Sequence, residues 1–536
     1  MTTATPRRPL SSILEAPQVP EIHAPDWFNR LPRWLSTGGI LFLLLAVSAF
    51  LRTRTLGGQY WFNEALATGV ASHPLSHLLH VVHQSGGAPA YYLLLHFWID
   101  IFGNGESSTH GLSLLLGLAS IPAAMWAGWS LFGRRGGIFA AVLFAFNSFL
   151  TRYAQETQMY ELLVLLALFA VTGFIHGFGF ERRRYLILFT AALVLMLYTQ
   201  GSAVLFVAGA LVALVPVYRA REARRDLLRD AAISFGAAFV LYLPWLVTTV
   251  DQIANATSPW HYAPLLGATV PSDLLGGERV DVTLLVAAVV GLAPLFTVAG
   301  RRSRDWTAMW TLLAMVVVGF ILARIGSIFT PSWVARYFAT LVAPLLFLAA
   351  LSCARARVVG VVAIVFAVAF SVNAKSFTPT YKSDMRDVAG EIGPLLHRGD
   401  LVVVAQPEQT PLTAYYLPGG LGYYSTAGPV SDPTFMNWSG ALSRLQDTDP
   451  QATVGRLVAS LRPGQQLLYV RPLTEGVENW RASWSQLVRR RSAQWGAILS
   501  SDAAAGTLKP VAWAPHNYRG SCCVADSAVL YQKTSS

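Results

Sequence analysis

Cysteine is nearly absent, with three residues in 536. Cys353 falls inside an apolar run, and Cys522 and Cys523 stand side by side near the end. That spacing gives neither a zinc site nor a disulfide framework. Adjacent cysteines close only a strained ring, so two thiols are expected, with a vicinal disulfide in an oxidising outer compartment as the alternative. Charge is scarce too: 13% of residues are Asp, Glu, Lys or Arg, against about 25% in soluble domains. With 54% hydrophobic residues, this excludes a wholly soluble chain and points to a membrane protein of several spans. Acids are scarcer than bases, 29 to 40, for a net charge of +11. Such an excess can mark nucleic acid or anionic lipid as a partner. Here there is no aromatic–basic alternation, and the bases cluster in short loops between apolar runs, as topology signals do. Nucleic acid is therefore set aside. Internal repeats and low-complexity tracts are also lacking.

What is present is a series of apolar runs of roughly membrane length. They lie near 34–50, 109–131, 136–150, 157–179, 185–219, 231–250, 283–299, 306–325, 336–353 and 357–374. The 185–219 run holds two spans, turning at Gln200-Gly201, so about 11 transmembrane helices are expected. Five basic clusters alternate with them: Arg134-Arg135, Arg182 to Arg184, Arg219 to Arg229, Arg301 to Arg304, and Arg355 with Arg357. If these are cytoplasmic, so is the polar tail 1–33, which is too long and polar to be a cleaved signal. The loops carrying Glu64, Glu156, Asp251 and Arg336 then lie outside. Arg52 and Arg54 break this pattern. The stretch 89–102 is apolar but barely long enough to cross. It is expected as an interfacial or re-entrant helix, because counting it as a span would invert the parity.

Past the transmembrane domain, 34–377, the texture changes to that of a soluble α/β domain, 378–536, expected outside the cytoplasm. Helices are expected over 382–397, 410–416 and 478–499, and strands over 400–405, 465–470 and 527–532, punctuated by Pro and Gly. Alternating elements of this kind suggest a small three-layer domain.

The outer loops hold the polar residues that topology does not explain. Glu64 lies in Gln59-Tyr60-Trp61-Phe62-Asn63-Glu64-Ala65, a carboxylate among aromatics just past the first span. A charge at that depth reads as functional unless it is solvated within an interfacial aromatic belt. Glu156 stands at the start of another span, and Arg336 with Tyr337 at the start of a later one. Two acids and an arginine at similar depth suit group transfer: an acid activates a hydroxyl, and a guanidinium fork binds phosphate. The plainer reading is that each caps a span or snorkels. His73, His77, His80 and His83 follow at spacings of four, three and three. On one helix the first three would share a face and could ligate a divalent metal ion. The alternative is an interfacial helix with a histidine polar face.

Together these segments carry a resemblance. Trp61-Phe62-Asn63-Glu64-Ala65 resembles the Trp-x-Asp-Glu-Ala motif of bacterial GT-C glycosyltransferases of the protein mannosyltransferase-like group, which includes the lipid A aminoarabinose transferases. Ala88-Pro89-Ala90-Tyr91-Tyr92 resembles that group's His-Pro-Pro-Leu-Tyr-Tyr. Arg152-Tyr153-Ala154-Gln155-Glu156-Thr157-Gln158-Met159-Tyr160 is similar to its Tyr-Ser-Gln-Glu-Ala-Arg-Met-Tyr, and Ala335-Arg336-Tyr337-Phe338 to its late Arg-Tyr.

The resemblance covers about residues 35 to 400 and implies a polytopic glycosyltransferase of a bacterial plasma membrane. It would move a sugar from a polyprenyl-phosphate-linked lipid donor to an extracytoplasmic acceptor in the cell envelope. Glu64 and Glu156 would serve as acids or bases or organise a divalent ion, which some relatives hold near the first loop. Arg336, then Arg152, would hold the carrier phosphate. Tyr153, Gln155, Tyr160 and Tyr337 would shape the substrate pocket. One departure matters most: Asn63 replaces the family's presumed basic Asp, and an amide cannot take a proton at neutral pH. A catalytically inactive scaffold that binds lipid-linked glycan is therefore the alternative. A transporter is disfavoured, because the polar residues sit at the edge of the spans and not at their middle.

Overall fold

The computed structural model describes residues 33–255, 269–329, 333–373, 382–472, 483–518 and 526–535. Cys522 and Cys523 fall outside them. Each apolar run of the sequence is helical. Among the described residues seven helices are long and apolar enough to cross a membrane: Glu106–Phe146, Tyr160–Gly179, Ala203–Ala220, Arg224–Ile253, Glu278–Phe296, Arg304–Ile328 and Ala335–Arg355. The remaining runs form the shorter apolar helices Ser36–Arg52, Arg184–Thr199 and Arg357–Val372. Glu106–Phe146 is two helices joined at Gly133, whose φ of 79° is open to glycine at little cost. Arg134 and Arg135 follow that turn, so the runs 109–131 and 136–150 are its two legs.

Charge segregates between the two ends of this bundle. At one end the basic clusters touch one another. Arg183 pairs with Asp230 (2.9 Å), Arg221 with Glu181 (3.3 Å) and Arg355 with Asp305 (2.6 Å). Arg304 lies over the Phe180 ring. At the other end the loops bearing Glu64, Glu156, Asp251 and Arg336 come together. Of the two exceptions to the charge pattern, Arg54 is exposed and Arg52 has a physical reason. Arg52 is fully buried and turns inward, donating from Nη2 to the Phe144 carbonyl (2.8 Å). A Cβ at Gly117 would stand 2.6 Å from Arg52 Nη1 and 2.9 Å from Glu161 Oε2, so the buried arginine faces a buried carboxylate. It is a core charge and carries no topological message.

The 89–102 stretch is the helix Pro89–Phe102, with Tyr91, Tyr92 and Leu95 buried and Leu94, Phe97, Ile101 and Phe102 exposed. That split gives it one apolar face free of protein.

The C-terminal domain is built on a six-stranded sheet of order β3-β2-β1-β4-β6-β5. The strands are β1 Leu401–Val404, β2 Gly422–Ser425, β3 Gly428–Val430, β4 Gln466–Pro472, β5 Leu508–Ala514 and β6 Asp526–Lys533. β1 lies parallel to β2 and β4, and the other pairings are antiparallel. Alternation along each strand divides the core between two faces. Val402, Val404, Leu468 and Val470 pack under the helices Met385–Ile392 and Thr410–Tyr416. Val403, Leu467 and Tyr469 pack under Pro450–Ser460 and Ser483–Ala504. This is the three-layer arrangement expected, with β2, β3, β5 and the helices Ala441–Asp447 and Pro450–Ser460 added. Tyr60 and Ala65 of the first loop join the core on the first face. The sheet domain is thus docked on the segment that carries Glu64.

Candidate functional site

The first loop turns into a helix at Phe62–Ala71, and Glu64 occupies its third position. From there it reaches back to accept the Trp61 backbone N–H (2.8 Å), which satisfies one of the unpaired donors at a helix start. The same carboxylate gathers three further elements. His110 Nε2 lies 2.7 Å from Oε1, and the Thr157 N–H donates to Oε1 at 2.9 Å. Lys382 Nζ lies 2.9 Å from both oxygens. His110 Nδ1 faces the Leu56 carbonyl (2.6 Å), so both ring nitrogens meet oxygen atoms of the protein. Glu64 is 1% exposed. Burial alone would push its carboxyl up, but Lys382 and then His110 outweigh it and hold the group well below the usual carboxylate range. Glu64 is therefore a saturated, buried anion that ties the first loop, the second loop and the sheet domain together.

Gln155 is consumed by the same knot. Its carbonyl accepts from Lys382 Nζ (2.9 Å), its Oε1 from the Thr55 N–H (3.1 Å), and its Nε2 donates to the Thr151 carbonyl (2.7 Å). Both polar atoms of its side chain and its carbonyl are thus bonded within the protein. Sequence reasoning missed Lys382 altogether. The available signal was compositional: it is one of only four lysines in a chain whose other bases are arginine.

A second group lies where the protein is more open. Asn147 caps the short helix Ser148–Tyr153 by accepting the Leu150 N–H (3.1 Å), while its amide donates to the Leu274 carbonyl (3.0 Å). Ser148 adds a bond to the Gly276 carbonyl (2.9 Å). These bonds tie Ser148–Tyr153 to the helix Thr269–Leu275, and bring Asp273 beside Arg152 and Tyr153. Arg152 Nε stands 3.3 Å from Glu156 Oε1, with side-chain exposures of 61% and 17%. Arg336 stacks over Tyr337 (5.4 Å), Arg152 over Tyr153 (5.6 Å), and the Tyr153 and Tyr160 rings meet at 4.7 Å. The Tyr153 phenol is pushed up to about 12, chiefly by burial and then by Glu156, against the pull of Arg152 and Arg336. Residues far apart in sequence, Arg152, Tyr153, Glu156, Tyr160, Arg336 and Tyr337, thus share one neighbourhood. Asp273 belongs with them and was not anticipated, since no motif marks it. Asn63 is half-buried beside the knot, its carbonyl accepting from Gln158 Nε2 (2.9 Å).

The four histidines do not form a metal centre. His73 lies in the turn between the helices Phe62–Ala71 and Leu75–Gln84, so the spacing does not run along one helix. Its Nδ1 bonds the Gly69 carbonyl (2.9 Å) and its Nε2 Asp432 (2.9 Å). His83 pairs with Asp251 at 2.7 Å. His77 and His80 are exposed. Among the described residues no three His, Cys, Asp or Glu side chains group closely enough to hold a metal ion. The divalent ion suggested by their spacing has no ligand set there.

No protein-family model and no curated protein sequence matches the chain. Solved structures do. ArnT from Cupriavidus metallidurans, determined bound to undecaprenyl phosphate, superposes with a TM-score of 0.57 at 15% identity, over 92% of this chain and 98% of its own. The fold is that of the GT-C glycosyltransferases. An Archaeoglobus fulgidus oligosaccharyltransferase tethered to an acceptor peptide gives a TM-score of 0.55 at 12% identity, over 86% of this chain and 72% of its own. The mycobacterial arabinofuranosyltransferase AftD gives 0.50 at 16% identity, over 94% of this chain but 40% of its own. The GT-C likeness reaches the sheet domain as well as the bundle, beyond the 35–400 of the motifs.

Proposed function

We propose that this GT-C protein is a membrane glycosyltransferase that takes its sugar from a polyprenyl-phosphate carrier and passes it to an acceptor outside the cytoplasm. The observation that carries this reading is the meeting of Arg152, Glu156 and Arg336 in one tyrosine-walled neighbourhood, at the bundle end on which the sheet domain sits. Two guanidiniums offer planar forks for a phosphate. Glu156, partly exposed and held by one exposed arginine, is the carboxylate free to take a proton from an acceptor hydroxyl as that oxygen attacks the anomeric carbon. The anomeric C–O bond breaks as the new one forms, and the leaving phosphate keeps the electron pair beside Arg336 and Arg152. Glu64, with every lone pair engaged, positions the two loops. The carrier class draws support from the ArnT relative, whose structure holds undecaprenyl phosphate.

The second reading, a scaffold that binds lipid-linked glycan without transfer, draws on Asn63 alone. Incubating the purified full chain with a radiolabelled polyprenyl-phosphate sugar pool separates the two. Release of carrier phosphate with label passing to an envelope acceptor supports transfer, and binding without release at any pH supports the scaffold.

A further inference from the structure

A cavity of about 480 Å³ opens at the end of the bundle opposite Glu156 and Arg336. Arg336 and Arg355 lie near the two ends of one helical span, Ala335–Arg355. At 1.5 Å per residue they stand roughly 28 Å apart, about the thickness of a bilayer core. The cavity is lined by four arginines, Arg134, Arg135, Arg355 and Arg357, and one carboxylate, Asp305. They come from three turns: the kink at Gly133, the junction between Ala339–Arg355 and Arg357–Val372, and the start of Arg304–Phe329.

The site is built, and is more than a scatter of topological charges. Asp305 fixes Arg355 at 2.6 Å, and the Arg355 Nε also donates to the Gly291 carbonyl (3.3 Å). Arg134 Nη2 donates to Ser36 Oγ (2.8 Å), while its buried Nε meets no acceptor. Among the described lining residues Asp305 answers Arg355, while Arg134 and Arg135 add two further guanidiniums, which leaves a positive excess in a concave space. Apolar side chains complete the lining: Phe132, Leu351 and Ala354, with Phe132 packed against the same buried cluster, Leu295, Met309 and Leu351, as Trp306 and Trp310, aromatics of the kind that collect at headgroup depth. Basic cavities between membrane helices, placed at that depth, suit phosphate headgroups whose chains run back along the protein.

We propose that this cavity binds the phosphodiester headgroup of an anionic phospholipid, on the membrane face opposite the candidate transfer site. Free phosphate shares the chemistry but has no acyl chains to meet the apolar lining residues Phe132, Leu351 and Ala354. The site is independent of the proposed transfer reaction.

The test uses the full chain in nanodiscs of equal phosphatidylglycerol and phosphatidylcholine, extracted gently and read by native mass spectrometry. Wild type should retain phosphatidylglycerol over phosphatidylcholine by roughly fivefold or more, the effect of one favourable arginine near an anionic surface. The exposed pair Arg135→Gln with Arg357→Gln should bring retention to parity, leaving the Asp305–Arg355 bond in place. Should that pair not fold, Arg135→Gln alone should lower the ratio. Arg219→Gln with Arg225→Gln, which removes as much charge from the same face outside the cavity, should leave the ratio unchanged. Equal retention of both lipids by wild type overturns the proposal, as does a preference that survives in the cavity variants. A matching loss in the Arg219 and Arg225 variant would assign the effect to the face as a whole. Loss of bound phosphatidylglycerol to equimolar inorganic phosphate would reassign the cavity to a soluble anion.

Discussion

Lys382 places its ammonium 2.9 Å from each oxygen of Glu64, joining residues 318 positions apart in the chain. The pair is buried, 13% and 1% exposed, and it fastens the sheet domain to the bundle at the candidate site. Losing one partner of such a pair leaves an uncompensated charge, whereas losing both leaves none. Lys382→Met should therefore lower stability by about 3 kcal/mol, the low end for a buried pair because His110 still faces Glu64. Glu64→Gln with Lys382→Met should cost less than the sum of the two single changes. Thermal unfolding of the four proteins in one detergent checks this, and strict additivity would remove the pair from the account of docking.

A second contact between sheet domain and bundle carries a pH dependence. Gly69 lies against the Thr434 carbonyl, where a Cβ would overlap the oxygen, and the Trp438 N–H donates to the Gln84 carbonyl (2.9 Å). Between these contacts His73 bonds Asp432, which raises the His73 value and, with Thr434, holds Asp432 at about 2. A raised histidine contributes fully below its unfolded value, near 6.5, and loses the contribution as pH rises through the folded value. A depressed Asp contributes above its unfolded value, near 3.9, and fails only as pH falls toward the folded one. Docking of 432–438 should thus be tightest at roughly pH 4 to 6.5 and loosen in alkali. Hydrogen exchange of that segment should quicken at alkaline pH in wild type beyond its chemical trend, and His73→Gln should remove the difference. An equal pH response in both would exclude His73 as the cause.

Most of the bundle was legible because apolar runs of span length and alternating basic clusters are local properties of a sequence. Arg52 misled for the same reason: a local reading cannot know that its partners, the Phe144 carbonyl and Glu161, arrive from other spans. β1, β4 and β6 stood out as runs of Val and Leu, whereas β2 and β3 are four and three residues with Gly at their starts, and β5 contains Pro510. Short strands of that composition take their form from neighbours, not from pattern. The histidine spacing failed because Pro74 starts a new helix between His73 and His77. Of the candidate site, the residues themselves were legible through resemblance, but their division was not. Glu64 and Glu156 look alike in sequence, and only Lys382, His110 and Thr157 make the first a strut.

Arg336 supplies the third prediction. A phosphate bound by a planar fork needs two parallel donors, which Lys lacks although it keeps the charge. Arg336→Lys should weaken binding of polyprenyl phosphate severalfold, and Arg336→Ala should weaken it further, with Arg152→Ala intermediate because that side chain is more exposed. Scintillation proximity or native mass spectrometry with undecaprenyl phosphate reads all three. Unchanged binding in Arg336→Ala would take Arg336 out of the site.

The last prediction separates the two acids. A general base must have a free lone pair within reach of the acceptor hydroxyl, and a positioned carboxylate typically contributes about 10²–10⁴-fold. Glu64 offers no such lone pair, with Trp61, Thr157, His110 and Lys382 around it, and its depressed affinity for protons makes it a weak base besides. Among the described residues the charged partner of Glu156 is Arg152, at 3.3 Å. Glu156→Gln should therefore cut kcat by about 10²-fold or more while leaving thermal stability and carrier binding near wild type. Glu64→Gln should lower stability first, because an amide cannot satisfy Lys382 and His110 together, and should lose activity in proportion to folded protein. Asn63→Asp tests the family departure: a carboxylate there should preserve or raise transfer, and should restore some activity to Glu156→Gln if the two positions face one acceptor. Full activity in Glu156→Gln alongside a folded, inactive Glu64→Gln would return the base to the first loop and require Lys382 to leave it during turnover.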